Sequence, residues 1–340
     1  MRLLFIALAG QHVGYGHLNR CLSIAEGALV RGLETAFLIL GEGADIIRRQ
    51  GHLAVEASWP GVVPVEFYDG DVGQTIAIID VAHPMSFSNQ SELTFLFQKA
   101  RMLADRIVVI DSLGEHSFTA QMPLITADVF IIPYIGGAEI LGNSATMLVG
   151  PEYALLSPKY AGMPIRQINE TAERVLVTFG GSDPQALTLT VLDALDQIKQ
   201  KLSLRVVIGP LFSEDLIFSI KLRSKELNHD VELVFSPPGL VEYMLWADIA
   251  VAASGLVKYE LAVTGTPGIM ISINEVHDQV NRPFAREGLQ RDLGVTTDPV
   301  LIGKEINTLI RSSAERRKMA ERGQRLVDGK GVERLIANLL

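Results

Sequence analysis

Short, almost uninterrupted apolar runs recur along the whole chain, and this pattern limits the fold more than any other feature. In the first half they are Leu3 to Ala9, Ala36 to Leu40, Ile76 to Asp80, Ile107 to Asp111 and Val129 to Ile132. In the second they are Val175 to Phe179, Arg205 to Ile208, Glu232 to Phe235, Ile249 to Ala253 and Gly268 to Ile273. A strand with one wet face alternates apolar and polar residues, whereas a strand covered on both faces reads as a continuous apolar run. Helical spacing fills several gaps: Leu18, Cys21, Leu22, Ala25 and Leu29 after the first run, then Leu187 to Ile198 and Leu256 to Val263. The alternation predicts α/β architecture, with parallel sheets clothed by helices.

A chain of 340 residues exceeds the usual size of one domain, about 100 to 200 residues. The stretch from Pro151 to Arg174 carries three prolines and no periodicity, so it marks the crossing between domains at 1–160 and 161–340. From Ser313 onward the residues are charged and favour helix, which predicts one or two surface helices closing the second domain. The net charge of -9 gives no general attraction to nucleic acid or to anionic lipid, so no nucleic-acid partner is expected. Any phosphate must be held by backbone dipoles and a few placed cations. The single cysteine, Cys21, allows no intrachain disulfide and fits a reducing cytoplasm. No run approaches the roughly 18 apolar residues of a membrane span, and the apolar start reads as a first strand rather than a leader.

Glycine turns follow several of these runs. Gly14, Gly16, His17 and Arg20 lie where the first strand passes into the first helix. Glycine lets backbone approach a ligand closely, and the unbonded amides of a helix start favour negative charge. An imidazole titrates near neutrality, so His17 is a candidate general base, with Arg20 one helical turn on to orient it or to meet an acidic ligand. A dinucleotide fingerprint would need a third glycine where Asn19 stands. In the second half Ser254, Gly255 and Leu256 follow the Ile249 to Ala253 run and open a helix carrying Glu260. Their amides are candidates to hold a diphosphate, and Glu260 to accept from ribose hydroxyls. Gly180 and Gly181 add a further turn at the end of the first strand of that half.

Four ordered pieces together resemble the GT-B superfamily of nucleotide-sugar enzymes. They are residues 14–20 (Gly-Tyr-Gly-His-Leu-Asn-Arg), 150–156 (Gly-Pro-Glu-Tyr-Ala-Leu-Leu), 178–183 (Thr-Phe-Gly-Gly-Ser-Asp), and Tyr259-Glu260-Leu261 with Gly265-Thr266-Pro267. Within it they are most similar to the UDP-sugar hydrolase of pseudaminic acid biosynthesis and its spore-coat polysaccharide relatives. The resemblance implies two Rossmann-like domains whose parallel sheets face each other across a cleft, with UDP on the C-terminal one. It implies a hydrolase of cell-surface or nonulosonic sugar biosynthesis, in which His17 activates water to release UDP and free sugar. The alternatives are a glycosyltransferase using the same UDP-sugar donor with an acceptor hydroxyl, and a non-catalytic nucleotide-sugar binder. Helix dipoles suffice for the leaving diphosphate, so neither metal nor cofactor is expected. The chain departs from the hydrolase pattern where Asp80 is followed by Val81-Ala82-His83-Pro84 without a tyrosine, and where Ser157 replaces an arginine.

Residues 277–281 (His-Asp-Gln-Val-Asn) match a polar loop that meets the donor sugar in GT-B enzymes, with Gln279 and Asn281 as hydroxyl partners. Asp69-Gly70-Asp71 imitates a metal motif of another glycosyltransferase fold, but reads as a polar turn. His52, His116 and His229 read as surface or packing residues, and so does His83.

Overall fold

Every apolar run named above carries a strand. The computed structural model describes residues 1–10, 15–57, 73–81, 90–112, 127–137 and 145–340. Asp69-Gly70-Asp71, His83, His116 and Gly14 lie outside these residues. The chain divides into two units, Met1–Ala161 with Gly329–Leu340, and Gly162–Asp328.

The first unit runs β1 (Arg2–Ala9), α1 (Gly16–Val30), β2 (Glu34–Gly41), α2 (Ala44–Arg49), β3 (Leu53–Ala57), β4 (Thr75–Asp80), α3 (Gln90–Leu103), β5 (Arg106–Ile110), β6 (Val129–Ile132) and β7 (Thr146–Val149). Its strands pair in parallel in the order β3-β2-β1-β4-β5-β6-β7. Side chains from both faces of β1, β2, β4, β5 and β6 are buried, as their continuous apolar runs require, and Phe5 stacks on Phe37 with ring centroids 4.6 Å apart. The stripe of α1 that meets the sheet consists of Leu18, Cys21, Leu22, Ala25 and Ala28. Leu29, included by spacing, is instead 52% exposed, because the helix turns its last apolar position outward before Gly32 ends it at φ +70°.

The second unit runs β8 (Arg174–Thr178), α4 (Leu187–Asp196), β9 (Ser203–Ile208), α5 (Glu214–Glu226), β10 (Asp230–Phe235), α6 (Val241–Trp246), β11 (Ile249–Ala253), α7 (Val257–Thr264), β12 (Gly268–Ile271), α8 (Glu275–Arg286), β13 (Arg291–Asp292), α9 (Pro299–Arg311) and α10 (Ser313–Leu326). Its strands are also parallel, in the order β10-β9-β8-β11-β12-β13. Three strands escape the apolar pattern. β3 and β7 are part-exposed edges, and β13 is an edge of two charged residues.

The last helix, α11 (Gly331–Leu339), differs from the expected surface helix of the second domain. It packs on the first unit, burying Val332, Leu335, Ile336 and Leu339. Gly27 on α1 makes this possible: a Cβ there would lie 2.5 Å from Val332 Cγ1. Arg106 donates to the Leu339 carbonyl at 3.1 Å and Arg334 to the Glu152 carbonyl at 2.7 Å, fastening both ends of the helix.

Each sheet reverses its strand order once, between β1 and β4 in the first unit and between β8 and β11 in the second. In open parallel sheets ligands bind outside the carboxyl ends of the strands at such a reversal.

Candidate functional site

His17 and Asp80 meet at the reversal point of the first sheet. His17 is the second residue of α1, the helix that follows β1 in the chain, and Asp80 ends the neighbouring strand β4 in register with Ala7. His17 Nδ1 lies 2.6 Å from Asp80 Oδ1. A ring nitrogen approaches a carboxylate this closely only with a proton between them, so Nδ1–H donates and Nε2 is the basic nitrogen. Arg20, one turn along α1, donates to both oxygens of Asp80, from Nε at 2.8 Å and from Nη2 at 2.7 Å. The same Nη2 stands 2.9 Å from His17 Nδ1. His17 is 6% exposed and Asp80 is fully buried. Burial alone would raise the Asp80 carboxyl, but the Arg20 guanidinium and then His17 outweigh it and hold the group at about 2. The result is an acid that stays charged near neutrality, fixes the imidazole tautomer and would stabilise an imidazolium, as in other His–Asp pairs.

Gly16 opens α1 with no side-chain cap, and no heavy atom of the described residues stands within 4 Å of a Cβ built on it. The motifs in the sequence give Asp80 no functional role. Its signal was positional: an acid at the carboxyl end of a buried strand next to β1.

At the reversal of the second sheet stand the two turns after β8 and β11. Gly180 has φ +74°, and among the described residues a Cβ at Gly180, Gly181 or Gly255 would meet nothing within 4 Å, so these backbones are open to approach. Asp183, itself at φ +41°, is buried and accepts from the Leu187 and Thr188 amides at 2.8 and 2.9 Å, which caps α4 and pins the turn. Burial pushes the Asp183 carboxyl up. The N-terminus of α7 has no side-chain cap. Here the structure narrows the expected anion cradle: the Ser254 amide already donates to the Ile271 carbonyl at 3.3 Å, which leaves the Gly255 and Leu256 amides. Glu260 stands one turn further along α7 and is half-buried.

The expected sugar-facing loop is a helix. Residues 277–281 belong to α8, which Asn274 caps by accepting the His277 amide at 3.0 Å. Two residues on a helix point about 200° apart, so Gln279 and Asn281 cannot serve one ligand. Gln279 is exposed. Asn281 is fully buried, donating to Asp292 Oδ1 at 2.7 Å and accepting from Gln290, so its amide is committed within the fold. Sequence reasoning passed over Asp278 between them. It is buried and paired through Oδ2 with Arg282, while its Oδ1 has no hydrogen-bond partner among the described residues.

Two histidines serve structure. His52 is buried beside Phe37 and bonds Thr35 Oγ1 at 2.8 Å, and burial lowers its affinity for a proton. His229 accepts the Leu202 amide and donates to the Leu195 carbonyl. Among the described residues no group of three or more His, Cys, Asp or Glu side chains is placed to hold a metal ion, and no helix is long and apolar enough to cross a membrane.

No protein-family model matches the chain. Over its full length the chain superposes on the crystal structure of Acinetobacter baumannii MurG with a TM-score of 0.67, 14% identity, and coverage of 99% of this chain and 98% of that one. The fold is GT-B. In sequence, the chain is 30% identical over 197 residues to the spore coat polysaccharide biosynthesis protein SpsG of Bacillus subtilis, covering 56% of this chain and 57% of that protein. It is 32% identical over 107 residues to the UDP-N-acetylglucosamine--N-acetylmuramyl-(pentapeptide) pyrophosphoryl-undecaprenol N-acetylglucosamine transferase of Mannheimia succiniciproducens, 31% of this chain and 30% of that one. The chain thus spans little more than half of the Bacillus protein and under a third of the transferase.

Proposed function

We propose that the protein is a GT-B glycosyltransferase that takes the sugar of a UDP-sugar donor. The observation that carries this reading is the buried His17–Asp80 pair at the strand reversal of the first sheet, because it supplies a base of fixed tautomer where such folds bind ligands. His17 Nε2 takes the proton of the acceptor hydroxyl as that oxygen attacks the anomeric carbon. Asp80 holds the ring and balances the charge it acquires, and Arg20 keeps Asp80 ionised. The bond from the anomeric carbon to the diphosphate oxygen breaks, and UDP leaves with the electron pair. Taken by itself, the second unit offers a diphosphate the Gly255 and Leu256 amides at the uncapped start of α7, a helix end that favours negative charge. The open Gly180-Gly181 turn borders the same strand ends, Glu260 accepts from ribose hydroxyls, and the unpartnered Asp278 oxygen accepts from a sugar hydroxyl.

Transfer leads because one sequence relative is named as an N-acetylglucosamine transferase. Hydrolysis is the second reading, favoured by the four ordered motifs that resemble the pseudaminic-acid hydrolase. The same base then activates water. Incubation with a panel of UDP-sugars, with and without candidate acceptors, followed by NMR, separates the two. Product only with acceptor supports transfer, and free sugar without acceptor supports hydrolysis. His17→Ala is expected to lower turnover by about 100-fold or more while UDP affinity changes little. An unchanged rate removes His17 from the mechanism.

A further inference from the structure

Ser254 and Ser272 are the first residues beyond β11 and β12, two parallel neighbours paired from Ala250 with Gly268 to Ala253 with Ile271. Both side chains are buried, at 2% and 0% exposure, and their Oγ atoms lie 3.0 Å apart. Two hydroxyls carry two protons, and one hydrogen bond between them engages only one. The second proton has no acceptor among the described residues. A buried O–H left without an acceptor is costly, and a fold retains one where a ligand completes it. The site beside it fits that reading. Gly255 follows at once, with nothing among the described residues within 4 Å of its missing Cβ, and the uncapped start of α7 comes next.

Resting on the donor-site reading above, we propose that Ser272 is a positioning residue for the diphosphate. Its hydroxyl donates to Ser254 Oγ, which turns the Ser254 proton toward a phosphate oxygen of the bound nucleotide. The direction follows from burial: Ser272 has no exposed surface, whereas Ser254 adjoins the open backbone at Gly255. A hydroxyl that accepts a hydrogen bond becomes a better donor itself, so the pair acts as one unit. Its members should therefore be strongly non-additive when removed. Motif reading names Ser254 through its glycine turn and has no signal for Ser272, because only the pairing of β11 with β12 brings the two together.

The test is calorimetric titration of UDP and of uridine into the full chain and its variants. Ser272→Ala is expected to weaken UDP about five- to tenfold and leave uridine unchanged. Ser254→Ala should weaken UDP at least as much, and the double variant should bind within about twofold of Ser254→Ala alone. Wild-type UDP affinity in Ser272→Ala overturns the proposal. So do multiplying losses in the double variant, or an equal loss for uridine, which marks a general distortion. Normal UDP binding by Ser254→Ala overturns it as well, whereas a wild type that fails to bind UDP brings down the donor-site reading itself. Thermal melts check folding, and Ser272→Cys, similar in shape with a weaker donor, carries the same prediction should Ser272→Ala fail to fold.

Discussion

Asp80 is a charge with no exposed surface, and such a charge persists only where partners replace its water. Arg20 and His17 do so, holding the carboxyl at about 2 against an ordinary 3.8. The folded chain therefore binds this proton less readily than the unfolded one. The stabilisation is complete above about pH 4 and disappears as pH falls through about 2, and the difference amounts to roughly 2 kcal/mol. Urea titrations at pH 5 and at pH 2.5 should show the wild type losing more stability over this window than Asp80→Asn. Equal losses would mean that Asp80 is not depressed. The same variant probes chemistry. An amide can present either its oxygen or its NH2 to Nδ1, so the tautomer is no longer fixed. Turnover of Asp80→Asn should fall about 100-fold or more with UDP affinity unchanged, and normal turnover would make Asp80 purely structural.

At the scale of elements, the open Gly180-Gly181 turn depends on a glycine in another strand-end segment. A Cβ on Gly209, just past β9, would lie 2.4 Å from the carbonyl oxygens of both Gly180 and Gly181, and those backbone atoms have no flexible side chain to move aside. Gly209→Ala should displace the turn, weakening UDP about tenfold while Asp183 still caps α4, which far-UV circular dichroism would register as unchanged helix content. Normal UDP affinity would place the turn outside the donor site. The same elements explain what was legible beforehand. Strands buried on both faces announced themselves by composition, and glycines by their place at strand ends. β3, β7 and β13 were silent, because edge strands need few apolar residues. Residues 277–281 misled for a different reason. Their polar composition suggests a loop, yet Asn274 caps a helix in which Asn281 and Asp278 face inward beside Val280 and Phe284, and five residues are too few to show that helical period.

For the whole molecule, the least legible feature was which unit owns the last helix. Val332, Leu335, Ile336 and Leu339 form an unmistakable apolar stripe, but a stripe specifies that a helix must be covered and says nothing of what covers it. The answer lies 300 residues away, in the gap left by Gly27. Chain connectivity and folding unit therefore part company at Gly329, and a perturbation of α11 is assigned to the first unit although it lies at the far end of the chain. Leu335 and Ile336 are almost fully buried against α1 and the first sheet, and truncating a side chain of this kind to alanine costs about 2 to 5 kcal/mol. In the full-length Leu335→Ala, Ile336→Ala variant, calorimetry should show the melting endotherm splitting, with an early transition from the first unit. A ligand raises only the transition of the unit it binds. Saturating UDP should therefore move the late transition upward and leave the early one where it is. If UDP shifted the early transition instead, the nucleotide would belong with His17 in the first unit, and the division of labour between the two sheets would have to be reversed.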